Sequence, residues 1–323
     1  MGTPRSIVID RKHASRSLLE ILQSGFRLPR KAALDAVRQK QVRICGGVCI
    51  DPQRRVKAGQ TIQFDAKPHV YKPSLPEAAR GIVVRHVDAE IVVVEKPAGL
   101  TTVRHADEVA ALGKRAKKFL PPTLVDLMPA VLAQTGAKSK GRIRAVHRID
   151  KETSGLVVLA RTPEAESDLG KQFRAHTIGR HYLALVRGQA KDARIESHLL
   201  PDRGDGRRGS STSKEGQHAV TRVRVVEALG DFTLVECELE TGRTHQVRIH
   251  LGEAGTPLCG ERVYDRPLHG QPLSDKSGAK RPLLHAAYLA LDHPATGKRI
   301  EWHAEMPKDM NDLVKRLRPP RVR

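Results

Sequence analysis

An α+β fold is predicted for this chain: a mixed, mostly antiparallel sheet in its larger part, preceded by a small α/β unit. Three features carry that expectation. Short runs rich in Val, Ile and Leu recur from Ile82 onward at strand length, separated by turn residues. Helical stretches with N-cap signals are inserted into this series of strands, as α+β domains require. No internal repeat suggests a solenoid. At 323 residues the chain suits one large domain with a small satellite, or two medium domains, and it is long enough to bury a substantial core.

From the N-terminus, residues 13–66 read as a small unit. Apolar periodicity predicts a helix around Ser15–Gln23 and a second from Pro29 to Lys40. Gly46-Gly47 then divides Val42-Arg43-Ile44 from Val48-Cys49-Ile50, a hairpin signal. Arg27, Lys31 and Arg38, four and seven residues apart, are expected near one face of the second helix with Arg30 adjacent, a candidate phosphate-binding stripe interrupted by Asp35. This helix, helix, hairpin order resembles the S-four-like RNA-binding domain. Residues 67–80, with Pro68, Pro73 and Pro76, read as a linker.

Residues 81–312 read as a second, larger domain. Strands are predicted at Ile82–Val84, Ile91–Val94, Leu156–Ala160, Tyr182–Val186, Ala219–Val226, Phe232–Leu239, Leu284–Leu291 and Arg299–His303. Thr162-Pro163 opens a helix to about Arg174, with Thr as cap and Pro at the first helical position. Pro122–Gln134 is a further helix candidate. Arg104–Lys118 and Asp202–Gly216 read as irregular, mobile loops, and residues 313–323 as a basic tail.

Lys and Arg exceed Asp and Glu by 21, so polyanions are the expected partners. Aromatic residues make up only 3%, which argues against a base-stacking sheet and favours a reader of shape and phosphate with one pocket. Cys45, Cys49, Cys237 and Cys259 form no C-x-x-C pair. They are expected as reduced thiols, with Cys45 and Cys49 as small hydrophobes in the hairpin, in a soluble, cytoplasmic protein. No apolar run reaches membrane-spanning length, and no membrane partner is expected.

The chemistry concentrates in five segments. His147-Arg148-Ile149-Asp150-Lys151-Glu152-Thr153-Ser154-Gly155 sets one carboxylate on a loop between cations, where it can serve as nucleophile or base. It is followed by Arg180-His181-Tyr182-Leu183-Ala184-Leu185-Val186-Arg187-Gly188, by Gly242-Arg243-Thr244-His245-Gln246-Val247-Arg248-Ile249-His250-Leu251, by Gly255-Thr256-Pro257-Leu258-Cys259-Gly260 and by Leu283-Leu284-His285-Ala286. Together these segments resemble the RluA-type RNA pseudouridine synthases, which convert specific uridines in structured RNA to pseudouridine. The resemblance spans most of residues 81–306.

That resemblance implies a set of roles. Asp150 matches the catalytic aspartate, Arg248 the arginine that pairs with it, and Tyr182 the tyrosine facing the target base. The C1′ to N1 bond must break and a C1′ to C5 bond form; whether the aspartate attacks the sugar, attacks the base or removes a sugar proton stays open. Arg148 matches the side chain that fills the gap left by a flipped base, a step whose cost is about a few kcal/mol. Leu284 is expected in the pocket wall. Lys96 is expected to hold the loop or a phosphate, and His147, with His245 and His250, to support the site by hydrogen bonds rather than bind a metal.

No cofactor and no metal are expected, and a monomer is. Ribosomal RNA is favoured as substrate by the appended domain, with transfer RNA and a noncatalytic ribosome-assembly role as alternatives. Glu261, where the family has Asp, and Asp265, where it has Gly, depart from the pattern; both are expected to lie outside the catalytic matches.

Overall fold

The computed structural model describes residues 5–38, 41–49, 51–65, 77–104, 120–136, 141–202, 207–211, 213 and 215–319. The chain divides into two compact units, residues 1–73 and 74–323.

The first unit contains β1 (Arg5–Val8), α1 (Leu18–Phe26), α2 (Arg30–Arg38), β2 (Val42–Ile44), β3 (Gly47–Val48) and β4 (Thr61–Phe64), with the strands paired antiparallel in the order β1-β4-β2-β3. Helix α1 starts at Ser17 because Ser17 and Glu20 form a reciprocal capping box, each side chain bonding the other's backbone N–H. Its buried Leu18, Leu22 and Phe26 pack into a core with Val37, Val42 and Ile62, and the Phe26 ring meets Phe64 edge-on at 5.8 Å.

Two expectations change here. Arg27 is not on the second helix: it is the left-handed cap of α1 (φ 57°), so the stripe reduces to exposed Arg27, Arg30 and Lys31 around the turn between the helices. Arg38 ends α2, and its side chain lies outside the described residues. The hairpin turn falls on Cys45 and Gly46, both at positive φ, one residue earlier than Gly46-Gly47. Cys45 is therefore exposed rather than packed, while Cys49 is buried as expected.

The second unit is built on an eleven-stranded sheet. In chain order it contains β5 (Val83–Val87), β6 (Ile91–Lys96), α3 (Leu124–Thr135), β7 (Arg144–Ala145), β8 (Ser154–Ala160), α4 (Pro163–Arg174), β9 (Gly179–Arg187), β10 (Ala193–Leu200), β11 (Gly209–Ser210) and β12 (Gln217–Leu229). Then follow β13 (Phe232–Leu239), α5 (Gln246–Glu253), β14 (Leu284–Asp292), β15 (Arg299–His303) and α6 (Lys308–Leu317). The strand order is β11-β10-β12-β13-β9-β14-β8-β6-β5, with β15 beside β14 and β7 beside β8. Among the described residues every pairing is antiparallel except β8 with β14, which makes the sheet mixed and mostly antiparallel as predicted.

That single parallel contact positions the site. Gly155 lies at φ 113° opposite Ala286, and a Cβ there would stand 2.2 Å from the Ala286 carbonyl oxygen. Only glycine lets the two backbones approach so closely. The contact brings the start of β8, just after the Asp150 loop, against the start of β14, which carries Leu284.

Helices α3 and α4 begin at Thr123 and Thr162, whose side chains accept from the backbone N–H of Asp126 and Ala165. Strand β10 escaped sequence reading because Arg194, Glu196 and Ser197 break the apolar pattern; it is held by its ladder with β12. Residues 313–319 are not a tail. Helix α6 buries Met310, Leu313 and Val314 against Leu185 and Leu283, while Arg318 pairs with Glu227 through both carboxylate oxygens. Residues 320–323 lie outside the described residues.

The expected linker and loops are partly described. Residues 67–76 and 105–119 lie outside the described residues, and Arg104 pairs with Asp126 at 2.7 Å. Of Asp202–Gly216, residues 203–206, 212 and 214 lie outside them. The rest includes β11, where Ser210 donates to the Glu253 carboxylate from both its backbone N–H and its hydroxyl. Among the described residues no helix is long and apolar enough to cross a membrane.

Candidate active site

Asp150 sits on the loop between β7 and β8, and the loop is clamped from behind by polar contacts. The Thr102 hydroxyl donates to the Ile149 carbonyl at 2.8 Å, and Gly99 N–H donates to the Lys151 carbonyl at 2.8 Å. Arg281 donates to the Glu152 carbonyl at 3.0 Å. Lys96 is buried, and its Nζ donates to the carbonyls of Leu100 at 2.7 Å, Pro97 at 3.0 Å and Lys151 at 3.2 Å. Burial pushes this amine down to about 7, against the opposing pull of Asp150 and Glu152. Lys96 is therefore not available to RNA: its three donors are spent on holding the loop.

The loop opens into a cleft of about 410 Å³. Asp150, Arg148, His147, Tyr182, Arg248 and Leu284 all line it, so four separate sequence segments converge on one cavity. Arg148 is exposed at its edge, Leu284 is buried in its wall, and Tyr182 is held on β9 between Ala286 and Cys237 of the flanking strands. Burial raises the Tyr182 hydroxyl above the ordinary phenol range. Arg27, Arg30, Lys31 and Arg38 belong to the other unit.

Arg248, on α5, brings Nη1 to 3.5 Å from Asp150 Oδ2. The same guanidinium grips Glu261 with two hydrogen bonds, Nε to Oε2 at 2.7 Å and Nη2 to Oε1 at 2.9 Å. The Glu261 side chain is fully buried, and its Oε1 also accepts from the backbone N–H groups of Arg262 and Val263. Burial alone would raise this carboxyl; the Arg248 fork and the backbone donors outweigh it and hold it below its ordinary range. Glu261 thus belongs to the site, contrary to the expectation that it lay outside the catalytic matches. Its acid was visible in the sequence, but its pairing with Arg248 arises from the loop after α5 folding back.

His245 and Tyr264 complete the group. His245 Nδ1 and Tyr264 Oη are 2.7 Å apart, and His245 Nε2 lies 3.8 Å from Asp150 Oδ1. The Arg248 guanidinium carbon stands 5.2 Å from the Tyr264 ring centre. Gln246 ties this turn to the sheet: its side-chain oxygen accepts from Thr241 Oγ1 and Arg243 N–H, and its amide donates to the Val220 carbonyl and Thr221 Oγ1.

His147, His250 and His285 are structural supports. His147 Nε2 accepts from Val158 N–H at 3.0 Å, and its ring stacks on Phe173 at 4.6 Å. His250 bridges Ser197 and Thr221, and His285 bonds Ser154. Removal from water pushes His147 down to about 3, with the Arg180 charge adding to the effect, and burial pushes His250 and His285 each down to about 4. Between those values and the unperturbed value of about 6.5, the unfolded chain binds more protons than the folded one. The stability contributed by these neutral rings is therefore complete above about pH 6.5 and is lost as the pH falls toward 4 and then 3. A melting temperature roughly 5–10 °C lower at pH 5 than at pH 7 is expected by calorimetry; an unchanged one would mean the rings protonate freely in the folded state. Among the described residues no group of three His, Cys, Asp or Glu side chains could hold a metal ion.

An aspartate beside an arginine in a cleft of a mixed sheet, with a tyrosine and a leucine in the walls, defines the class. Residues 90–253 match the RNA pseudouridylate synthase family, and the chain belongs to it. It is an RNA pseudouridine synthase, an isomerase whose substrate is RNA, and the RluA-type resemblance is borne out. It is 37% identical over 272 residues to the "Uncharacterized RNA pseudouridine synthase YlyB" of Bacillus subtilis, covering 81% of this chain and 83% of that protein. It is also 37% identical over 238 residues to the ribosomal large subunit pseudouridine synthase D of Zymomonas mobilis, covering 71% of each. The fold is shared with human RNA pseudouridylate synthase domain containing 4, at 23% identity and a TM-score of 0.57 over 73% of this chain and 92% of that one.

Proposed function

We propose that this enzyme isomerises one or more uridines of large-subunit ribosomal RNA, with Asp150 as its catalytic residue. The observation that carries the reading is the Asp150 carboxylate in the cleft, 3.5 Å from an arginine that Glu261 holds in place. Relatives named ribosomal large subunit pseudouridine synthase D, from Zymomonas mobilis and Nitrosomonas europaea, favour ribosomal RNA. The net charge of +21 suits a large polyanion.

In this reading the target uridine leaves its stack and enters the cleft, Arg148 fills the gap, and Tyr182 and Leu284 bound the base. The C1′ to N1 bond breaks, the uracil turns, and C1′ joins C5; the C5 proton leaves to water, and N1, freed from the sugar, gains a proton. The enzyme works in the cytoplasm, as a monomer and without a cofactor. The first unit acts as an S-four-like RNA-binding domain through Arg27, Arg30 and Lys31.

The test is tritium release from cellular RNA labelled at C5 of uridine, with ribosomal and transfer RNA assayed separately. Release from large-subunit RNA is expected. Release from transfer RNA alone would move the substrate, and no release from RNA that the protein binds would favour a noncatalytic assembly role. Deleting residues 1–66 is expected to weaken RNA affinity and flatten its dependence on salt. Identical binding across a salt series would assign the small unit to another task.

A further inference from the structure

Arg180 holds a charge that nothing in the cleft explains. It lies two residues before Tyr182 on β9, so both side chains project from the same face of the sheet into the cleft. Only 9% of it is exposed. Its guanidinium carbon sits 5.5 Å from the Phe173 ring centre, and a Cβ on Gly242 would come within 2.4 Å of Nη1. The glycine thus leaves the space the guanidinium occupies. Nε is buried without a hydrogen-bond partner, and among the described residues no carboxylate pairs with the side chain.

Arginines are almost never this buried without a counter-charge, because an unpaired cation out of water is costly. The surroundings add positive charge: Arg148, Arg174 and Arg243 line the same cleft, where Asp150 is the one carboxylate among the lining residues. Arg180 and Arg243 also line an adjoining cavity of about 590 Å³. Two acids border that second cavity, exposed Glu238 and half-buried Glu240, and Glu240 is already engaged by Arg194 and Arg222.

We propose that Arg180 is an anion site built into the cleft wall, and that it takes a backbone phosphate of the RNA beside the uridine held at Asp150. A guanidinium fork fits two phosphate oxygens, and the ribose-phosphate chain must follow an extruded nucleotide to the protein surface. The phosphate supplies the counter-charge that the folded protein lacks. This inference rests on the reading of the cleft as the uridine site.

The test compares the full-length protein with its Arg180→Met variant in binding to ribosomal RNA across a salt series, alongside melting temperatures. The variant is expected to bind about 10- to 100-fold more weakly, with a salt slope smaller by about 0.7–0.9 for one lost phosphate contact. Its melting temperature should be equal or higher, since an unpaired buried cation has been removed. An unchanged slope would overturn the proposal. If Arg180→Met melts lower, Gly242→Ala decides, because it keeps the charge but claims the guanidinium's space. Weaker binding at wild-type melting temperature supports the anion site; unchanged binding, or a lower melting temperature in both variants, overturns it. Tritium release by the wild-type protein is scored apart. Absent release with a reduced slope in the variant would keep the anion site and remove the uridine reading, and release with an unaltered slope would do the reverse.

Discussion

Asp150→Asn is expected to lower tritium release by at least about 10³-fold while leaving RNA affinity within a few-fold of wild type. The substitution is nearly isosteric, so the loop should keep its shape. Its clamps are Thr102, Lys96, Gly99 and Arg281, and all of them act on backbone carbonyls of Ile149, Lys151 or Glu152 rather than on the Asp150 side chain. What is lost is the negative charge and the nucleophilic or basic oxygen facing the cleft. Single-turnover assays with saturating protein separate this loss from any weaker binding. Release at the wild-type rate would remove Asp150 from the mechanism, whichever bond-making route the enzyme follows.

Arg248→Met is expected to have the second largest effect, on both stability and turnover. Glu261 would remain fully buried with only backbone donors around it, and a buried ion pair broken on one side costs about 3–5 kcal/mol. For a unit of this size that corresponds to a fall in melting temperature of roughly 6–20 °C. Turnover should fall further than stability explains, because Asp150 would lose the cation at 3.5 Å. Arg248→Lys keeps the charge but not the fork that spans both Glu261 oxygens, so it should recover only part of either loss. A methionine variant that melts and turns over like wild type would show that the Arg248 bridge between Glu261 and Asp150 carries neither role.

Both expectations concern one cluster, and its members differ in how they could be read. Asp150, Tyr182, Arg248 and Leu284 were legible because each sits in a segment whose local pattern resembles a known family, and all four line the cleft. Glu261 was visible only as a departure from that pattern. Its acid could be seen, but not that Arg262 and Val263 turn their N–H groups onto it while Arg248 closes from α5. Lys96 was expected to hold the loop or a phosphate, and only the three carbonyls that close around its amine decide for the loop.

Local signals fixed what depends on nearest neighbours along the chain. Thr162 before Pro163 marks a helix start because a cap and its N–H partner lie within one turn, whereas the Ser17 and Thr123 caps lie one or two residues later than the helix starts the apolar pattern suggested. Apolar runs such as Ile91–Val94 and Leu156–Ala160 mark central strands, and the charge excess marks a polyanion partner, with no need of tertiary contacts. Helix α6 carried a signal of the same kind, Met310, Leu313, Val314 and Leu317 at helical spacing, hidden beneath the basic residues between and after them.

The folded structure decided whatever depends on elements distant in sequence. Strand β10 exists because β12 lies beside it, Gly155 must be glycine because Ala286 arrives from 131 positions further along, and Gly242 leaves room for a guanidinium that begins on β9. Burial and counter-charge are properties of a place rather than of a residue. Sequence alone could therefore name the chemical groups of this enzyme, while the packing of β8 against β14 and of α5 against the loop holding Glu261 determined which of them are buried, paired or left charged in the cleft.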